Sequence, residues 1–194
     1  MMSKTCRLFI AVPLSDQVKH TLQGLQQLLK QEHHPVKWVA PETMHLTLQF
    51  LGEIDTDLVP QINDTVQHVA GHSACHTLKL ANVGAFPHLR RPSVLWVGVG
   101  GQQELLVQLQ VSLAQALASL GFSGEARPFC AHLTIGRVRR DATSQQQAQL
   151  GHTISALPQV HPISWTVTQV TLFQSELLQT GPRYTALYTV MLPA

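Results

Sequence analysis

The chain has 194 residues, a length typical of one well-buried domain or of one domain built from two similar lobes. Apolar residues make up 44% of it and charged residues 12%, a balance that excludes an intrinsically disordered protein. The formal charge of +2 is too small to predict nucleic-acid binding by itself, although it leaves room for a local basic cleft.

Cysteine usage and hydropathy bear on the cellular compartment. The cysteines at positions 6, 75 and 130 are far apart and lack metal-site spacing, which favours neither a disulfide framework nor a zinc site. The N-terminal apolar run is short, and no run approaches the roughly 20 apolar residues that span a bilayer. We therefore expect a cytoplasmic protein without a membrane span. We also expect a monomer with no metal and no other cofactor.

Strands and helices alternate along the first half. Residues 7–12 predict a buried strand that ends at Pro13, and Ser15 is a predicted N-cap for the first helix. Four apolar residues form one face of that helix: Val18, Leu22, Leu25 and Leu29. The second helix has a similar stripe: Leu58, Ile62, Val66 and Val69. Four further strands are predicted over residues 36–40, 44–51, 76–86 and 93–99.

Residues 44–51 alternate with the period of a half-buried strand. One face, which we predict to be the core face, holds Met44, Leu46, Leu48 and Phe50. The opposite face holds His45, Thr47 and Gln49.

The second half repeats this organisation. Residues 102–120 predict the clearest helix, with leucines at helical spacing and Gly121 as its stop. Residues 131–138 alternate again, and the polar segment after them is either a short helix or a mobile loop. Two long strands over 163–175 and 183–192 complete the chain. We predict an α+β fold in which residues 1–194 form one domain, with two strand-helix lobes in a pseudo-twofold arrangement and antiparallel sheets around a central cleft.

The two alternating strands share a four-residue pattern. Residues 45–48 have the sequence His-Leu-Thr-Leu, and residues 132–135 have His-Leu-Thr-Ile. A lone histidine on the polar face of a strand is more often structural than catalytic. Two copies in matching strand contexts favour a functional pair instead.

The spacing of the pattern suits chemistry at phosphorus. Residues two apart on a strand face the same way, so each copy presents an imidazole beside a hydroxyl. If the two strands meet across a cavity, one imidazole can take a proton from attacking water and the other can protonate the departing oxygen. The threonine hydroxyls can hold the non-bridging oxygens.

Several stretches of the chain carry a resemblance to a known family. "HLTLQFLGE", "HLTIGR" and "RLFIAV" resemble the bacterial RNA 2′,3′-cyclic phosphodiesterases, long called 2′-5′ RNA ligases, of the two-histidine phosphoesterase superfamily. "RPSVLWVGV" resembles the family's middle strand and "VTLFQSELLQTGPRYTAL" its closing hairpin. The resemblance implies a metal-independent hydrolase that opens 2′,3′-cyclic phosphate ends of RNA to a 2′-phosphomonoester, with reversible 2′-5′ ligation as a related reaction.

The resemblance also implies roles for individual residues. His45 would be the proton donor and His132 the proton acceptor, although the near-symmetric motifs could exchange these roles. Thr47 and Thr134 would bind the phosphate, and Arg137 would lie near it. Phe9 and Tyr184 are candidates to border the base or ribose, with core packing as an equal alternative. For Arg90 and Arg91 we favour a solvated loop over a role with RNA.

Two other functions stay open from the sequence. The same chemistry could act on small cyclic nucleotides or on 2′-5′-linked oligonucleotides. A nucleotide-binding module that has lost catalysis is the third candidate, although both histidines and both threonines are present.

Overall fold

The computed structural model describes residues 4–122, 128–158, 160, 162–179 and 181–193. Four helices are present in these ranges: α1 (Asp16–Gln31), α2 (Val59–Ala70), α3 (Gln103–Ala118) and α4 (Ser144–Ser155). The strands are β1 (Thr5–Pro13), β2 (Val36–Trp38), β3 (His45–Asp55), β4 (His76–Phe86), β5 (Val94–Gly101), β6 (His132–Val138), β7 (Ser164–Val167), β8 (Gln169–Leu178) and β9 (Gly181–Met191). No helix in the described ranges is long and apolar enough to cross a membrane.

The strands form two antiparallel sheets, which confirms the predicted α+β fold class. The first sheet has the strand order β3-β1-β8-β9, and the second has the order β2-β6-β5-β4-β7. The first copy of the motif therefore lies in one sheet and the second copy in the other.

The two sheets do not follow the division of the sequence into halves. Each half contains a strand, a helix, a motif strand, a second helix and a further strand, as in β1-α1-β3-α2-β4 and β5-α3-β6-α4-β8. The last strand of each series pairs with the first strand of the other, since β4 pairs with β5 and β8 pairs with β1. The halves thus exchange strands, and each sheet is completed by the opposite end of the chain.

Two predicted elements in the second half need correction or completion. The single strand predicted over 163–175 is wrong: it is broken at Thr168, so that β7 joins the second sheet and β8 the first. The polar segment after β6 contains a helix, α4, rather than only a loop. Its start is fixed by a capping box, in which Thr143 accepts from the backbone of Gln146 and the Gln146 side chain accepts from the backbone of Thr143.

Both motif strands are anchored by the apolar residues between their polar ones. Leu46, Leu133 and Ile135 are fully buried, and Leu48 is nearly so. All four belong to one continuous apolar cluster that also includes the predicted faces of α1, α2 and α3. Because each buried aliphatic side chain contributes about 1.5–3 kcal/mol, this burial fixes which face of each strand carries the histidine.

Truncation of one anchor should therefore cost stability. We expect Leu133→Ala to lower the free energy of unfolding by roughly 2–5 kcal/mol, because it leaves a cavity beneath β6. Urea unfolding measures this loss. Val111→Ala on the exposed side of α3 is the control and should change the free energy by less than about 0.5 kcal/mol. Equal effects of the two substitutions would contradict the anchoring role.

Candidate active site

A cavity of about 880 Å³ is lined by residues of both sheets. All seven residues singled out in the sequence line it: Phe9, His45, Thr47, His132, Thr134, Arg137 and Tyr184. Residues more than a hundred positions apart in the chain are therefore brought to one space. The volume is in the range of pockets that hold small ligands.

The two histidines have the same local geometry. Nδ1 of His45 lies 2.8 Å from the carbonyl oxygen of Thr43, and Nδ1 of His132 lies 2.7 Å from that of Cys130. A carbonyl can only accept, so Nδ1–H is the donor in both bonds. In the neutral imidazole this places the lone pair on Nε2. Each ring thus has one nitrogen held by the backbone two residues earlier and the other left to act on a substrate.

Aromatic rings enclose His45 more tightly than His132. Its ring centroid lies 4.6 Å from that of Phe9 and 5.2 Å from that of Tyr184, whereas His132 has an edge-to-face contact with Phe86 at 5.0 Å. Burial lowers the pKa of His45, and the hydrogen bond to Thr43 only partly opposes this. In the free protein His45 is accordingly neutral at physiological pH.

A bulge recurs at the same place in both motif strands. Along β3 the pairing with β1 passes from Thr47 to Gln49, and along β6 the pairing with β5 passes from Thr134 to Gly136. The fourth motif residue is skipped in each case. One extra residue reverses the alternation, so the residue five positions after each histidine returns to the histidine's side.

The bulge explains why Phe50 and Arg137 both line the cavity. Phe50, predicted on the core face, is 53% exposed and lines the cavity, while Gln49 is buried in its place. Arg137 occupies the equivalent position in β6 and also lines the cavity. Strict alternation would have pointed both away from the histidines. The signal that could have placed Phe50 is its spacing from His45, which equals that of Arg137 from His132.

Basic side chains surround the cavity. Arg7, Lys37 and Arg137 line it without a carboxylate within 4 Å among the described residues. The fourth cation, Arg183, is paired with Glu176 at 2.7 Å, and Glu42 is the acidic residue of the wall. Arg7 and Lys37 were missed from the sequence, although Arg7 lies two residues before Phe9 and so shares its face. This excess of positive charge suits an anionic ligand.

Tyr184 joins this charged wall to the aromatic group around His45. Its ring makes an edge-to-face contact with Phe9 at 4.9 Å. Burial raises the pKa of the Tyr184 hydroxyl, with Arg137 and Arg7 acting in the opposite direction. The phenol is therefore protonated at neutral pH and can donate a hydrogen bond into the cavity.

A buried glutamine links the second motif to the rest of the molecule. Gln26 of α1 is 1% exposed, and its Nε2 donates to the carbonyl oxygens of Val39 at 2.8 Å and Ile135 at 2.7 Å. Ile135 is the residue skipped in the β6 bulge, and its carbonyl also accepts from the backbone of Val39 at 3.0 Å. Gln26 thus holds the bulge that turns Arg137 towards the cavity.

Among the described residues, no three histidine, cysteine, aspartate or glutamate side chains gather as a metal would require. The donors that line the cavity are instead imidazole, hydroxyl and guanidinium groups, a set that suits phosphate oxygens.

The LigT like Phosphoesterase family model matches residues 12–96 and 97–184, and each matched segment contains one of the two motifs. The chain belongs to this family. Among the relatives of this LigT-like phosphoesterase is the RNA 2′,3′-cyclic phosphodiesterase of Methanothermobacter thermautotrophicus, 33% identical over 92% of this chain and 95% of the relative. The protein of the same name from Thermotoga maritima is 31% identical over 94% and 93%.

Solved structures have the same fold. The protein TT0787 of Thermus thermophilus superposes with a TM-score of 0.81 and 28% identity, covering 96% of this chain and 97% of that one. E. coli LigT complexed with 3′-AMP has a TM-score of 0.74 and 26% identity, covering 98% and 100%. Both superpositions thus extend over nearly the whole of this chain.

Loss of the Gln26 clamp should lower both stability and activity. Gln26→Leu removes two hydrogen bonds to buried carbonyls, which should cost about 1–3 kcal/mol of unfolding free energy. A small displacement of the β6 bulge should also lower kcat/KM by roughly 10- to 100-fold, through misplacement of Thr134 and Arg137. Thermal unfolding and steady-state kinetics well below Tm separate the two effects.

The control is Gln17→Leu, which alters an exposed glutamine on the same helix and should leave both quantities unchanged. A stable Gln26→Leu protein with wild-type kcat/KM would show that the clamp does not position the site.

Proposed function

We propose that this protein hydrolyses RNA 2′,3′-cyclic phosphate ends to 2′-phosphomonoesters, with His45 and His132 as an acid-base pair. The observation that carries the proposal is the matched pair of imidazoles, each with Nδ1 held by a backbone carbonyl, on the wall of one cavity. The threonines, Arg137 and the basic wall supply partners for a phosphate. The name shared by the curated relatives supports the substrate.

The proposed reaction is a single in-line displacement. Nε2 of His132 takes a proton from water as the water oxygen attacks phosphorus. The bond between phosphorus and the 3′ oxygen breaks, and Nε2 of His45 gives its proton to that oxygen. The product keeps phosphate on the 2′ oxygen. The hydroxyls of Thr47 and Thr134 and the Arg137 guanidinium balance the negative charge on the non-bridging oxygens. A 5′-hydroxyl in place of water would form a 2′-5′ linkage by the same steps, so the proposed site would also catalyse 2′-5′ ligation.

To act as the proton donor, His45 must become protonated when substrate binds. Burial lowers its pKa in the free protein, which disfavours the imidazolium. A bound phosphate anion next to the ring acts in the opposite direction, since an opposite charge favours the protonated form. Substrate binding and protonation of His45 are thus coupled in this mechanism.

The reaction itself can be tested with one oligonucleotide. An RNA that ends in a 2′,3′-cyclic phosphate should be converted to a product with a 2′-phosphate, and phosphorus NMR distinguishes it from the 3′ isomer. Activity should persist in excess EDTA, because the proposed proton transfers use imidazoles. A loss of activity in EDTA that one divalent metal restores would contradict the mechanism, and a 3′-phosphate product would contradict the assignment of the leaving oxygen.

The pH dependence should reveal the two histidines. We expect bell-shaped profiles, and replacement of either His45 or His132 by Ala should lower the rate by roughly 10²–10⁴-fold. The double variant should lose much less than the product of the two effects, because both groups act in one step.

The proton donor sets the alkaline limb of the profile, since activity falls as it loses its proton. The lowered pKa of free His45 should place the alkaline limb of kcat/KM at lower pH than the alkaline limb of kcat, which reports the complex. His45→Ala should flatten the alkaline limb and His132→Ala the acidic limb. If His45→Ala instead flattens the acidic limb and His132→Ala the alkaline limb, the mechanism stands with the two roles reversed. Near-wild-type turnover in either variant, with the protein folded, would exclude the mechanism.

A further inference from the structure

A second cavity, of about 470 Å³, lies beside the end of β6 that carries Arg137. We name it the arginine cavity, and its lining residues include Arg91, Ser93, Arg139, Arg140 and Gln147. None of its three arginines has a carboxylate within 4 Å among the described residues, where the ion pairs are Lys19–Asp16 and Arg183–Glu176. Three unpaired guanidinium groups on one concave surface form a site for anions.

The arginine cavity departs in charge from the rest of the chain. The two segments that form it, 87–93 and 138–147, contain four arginines and a single acidic residue, Asp141. That local excess of positive charge is larger than the formal charge of +2 on the whole protein. These two segments are therefore strongly basic, whereas the charges of all other residues together sum to nearly zero.

The walls of the arginine cavity are held by several backbone contacts. Ser93 donates to the Phe86 carbonyl at 2.7 Å, and its own carbonyl accepts from Val138 at 2.9 Å. Gly151 of α4 lies directly against the Leu89 backbone, so close that an added Cβ would collide with the Leu89 carbonyl. The loop, the end of β6 and α4 are thus packed together, and the arginines project from a fixed surface. Arg91 is exposed on this loop, as the sequence predicted.

Neighbouring residues at the end of β6 line the catalytic cavity and the arginine cavity. Arg137 lines the first cavity, and Val138 and Arg139 line the second. The backbone of Arg139 donates to the Pro35 carbonyl at 2.8 Å, which continues the ladder between β2 and β6 past the end of the strand. Two residues of extended chain span about 6.6 Å, so Arg137 of the first cavity and Arg139 of the second lie close together along the chain.

We propose that the arginine cavity binds the phosphate backbone of the RNA chain upstream of the terminal nucleotide, so that the enzyme prefers RNA ends to cyclic mononucleotides. The proposal rests on the proposed function, because it takes the terminal cyclic phosphate to lie in the catalytic cavity. Arginine forks pair with phosphate oxygens irrespective of base, so the preference is for chain length and not for sequence. Single-stranded RNA fits because its backbone can follow the turn from one cavity to the next.

The test compares two substrates that share the reacting group: a hexanucleotide with a 2′,3′-cyclic phosphate end and a 2′,3′-cyclic mononucleotide. The variant is Arg91→Gln/Arg139→Gln/Arg140→Gln. This variant should lower kcat/KM for the hexanucleotide by roughly 10-fold or more at low salt. Its kcat/KM for the mononucleotide should stay within about twofold of the wild-type value, since only the longer substrate reaches the arginines. For the hexanucleotide, the slope of log kcat/KM against log salt concentration should become shallower by roughly 2, at about 0.7 for each lost phosphate contact.

The matched control removes the same number of charges elsewhere. Lys4→Gln/Lys19→Gln/Lys79→Gln changes three cations that line neither cavity, and it should keep the wild-type ratio of the two rates. Thermal unfolding of all variants shows whether they fold. A hexanucleotide-to-mononucleotide ratio that is the same in the arginine variant and the wild type would overturn the proposal, as would an equal loss in the control.

RNA binding by the arginine cavity can be measured even if the protein has no activity. If the wild-type protein hydrolyses neither substrate, fluorescence anisotropy of the labelled hexanucleotide still measures binding. A loss of affinity in the arginine variant and not in the lysine control supports the RNA-backbone site. Equal affinities would contradict it and leave the surface to another anionic partner, such as an acidic protein segment.

Discussion

Burial of the aliphatic residues in the two motifs is the interaction on which the site depends. Leu46 and Leu133 have no exposed surface, and the strands that carry them have one allowed orientation as a result. A shift of either strand by one residue would bring its histidine into the core and its leucine into the cavity. The catalytic face is thus specified by the apolar face, and the polar residues are free to be chosen for chemistry.

Within that frame, the two half-sites are alike in geometry and different in surroundings. Both imidazoles use Nδ1 to bind a carbonyl two residues earlier, and both strands skip one residue at the same place. The bulge in β3 brings the ring of Phe50 to the cavity, and the bulge in β6 brings the guanidinium of Arg137 there. Aromatic rings and burial enclose His45 and lower its pKa, whereas His132 has a single edge-to-face contact with Phe86.

The sequence predicts the features that depend on the local alternation of polar and apolar residues. It does not predict the features that depend on pairing between strands distant in the chain. The histidines, threonines and their common face followed from alternation over four residues. Phe50 was placed on the wrong face because a bulge depends on the partner strand, which one sequence does not display. The break at Thr168 was missed for a related reason, since both parts have strand-like composition and only the sheets distinguish them. Gln26 could not be recognised, because its partners lie in other elements.

The exchange of strands between the halves has a consequence during synthesis. One edge of β1 pairs with β8, which leaves the ribosome more than 150 residues later. Until then the nascent chain presents a strand edge with the sequence "RLFIAV", whose unpaired backbone groups can bind other chains. Long-range closure of this kind is slow and favours aggregation of incomplete chains. Fragments truncated before residue 169 should for this reason depend on chaperones to remain in solution.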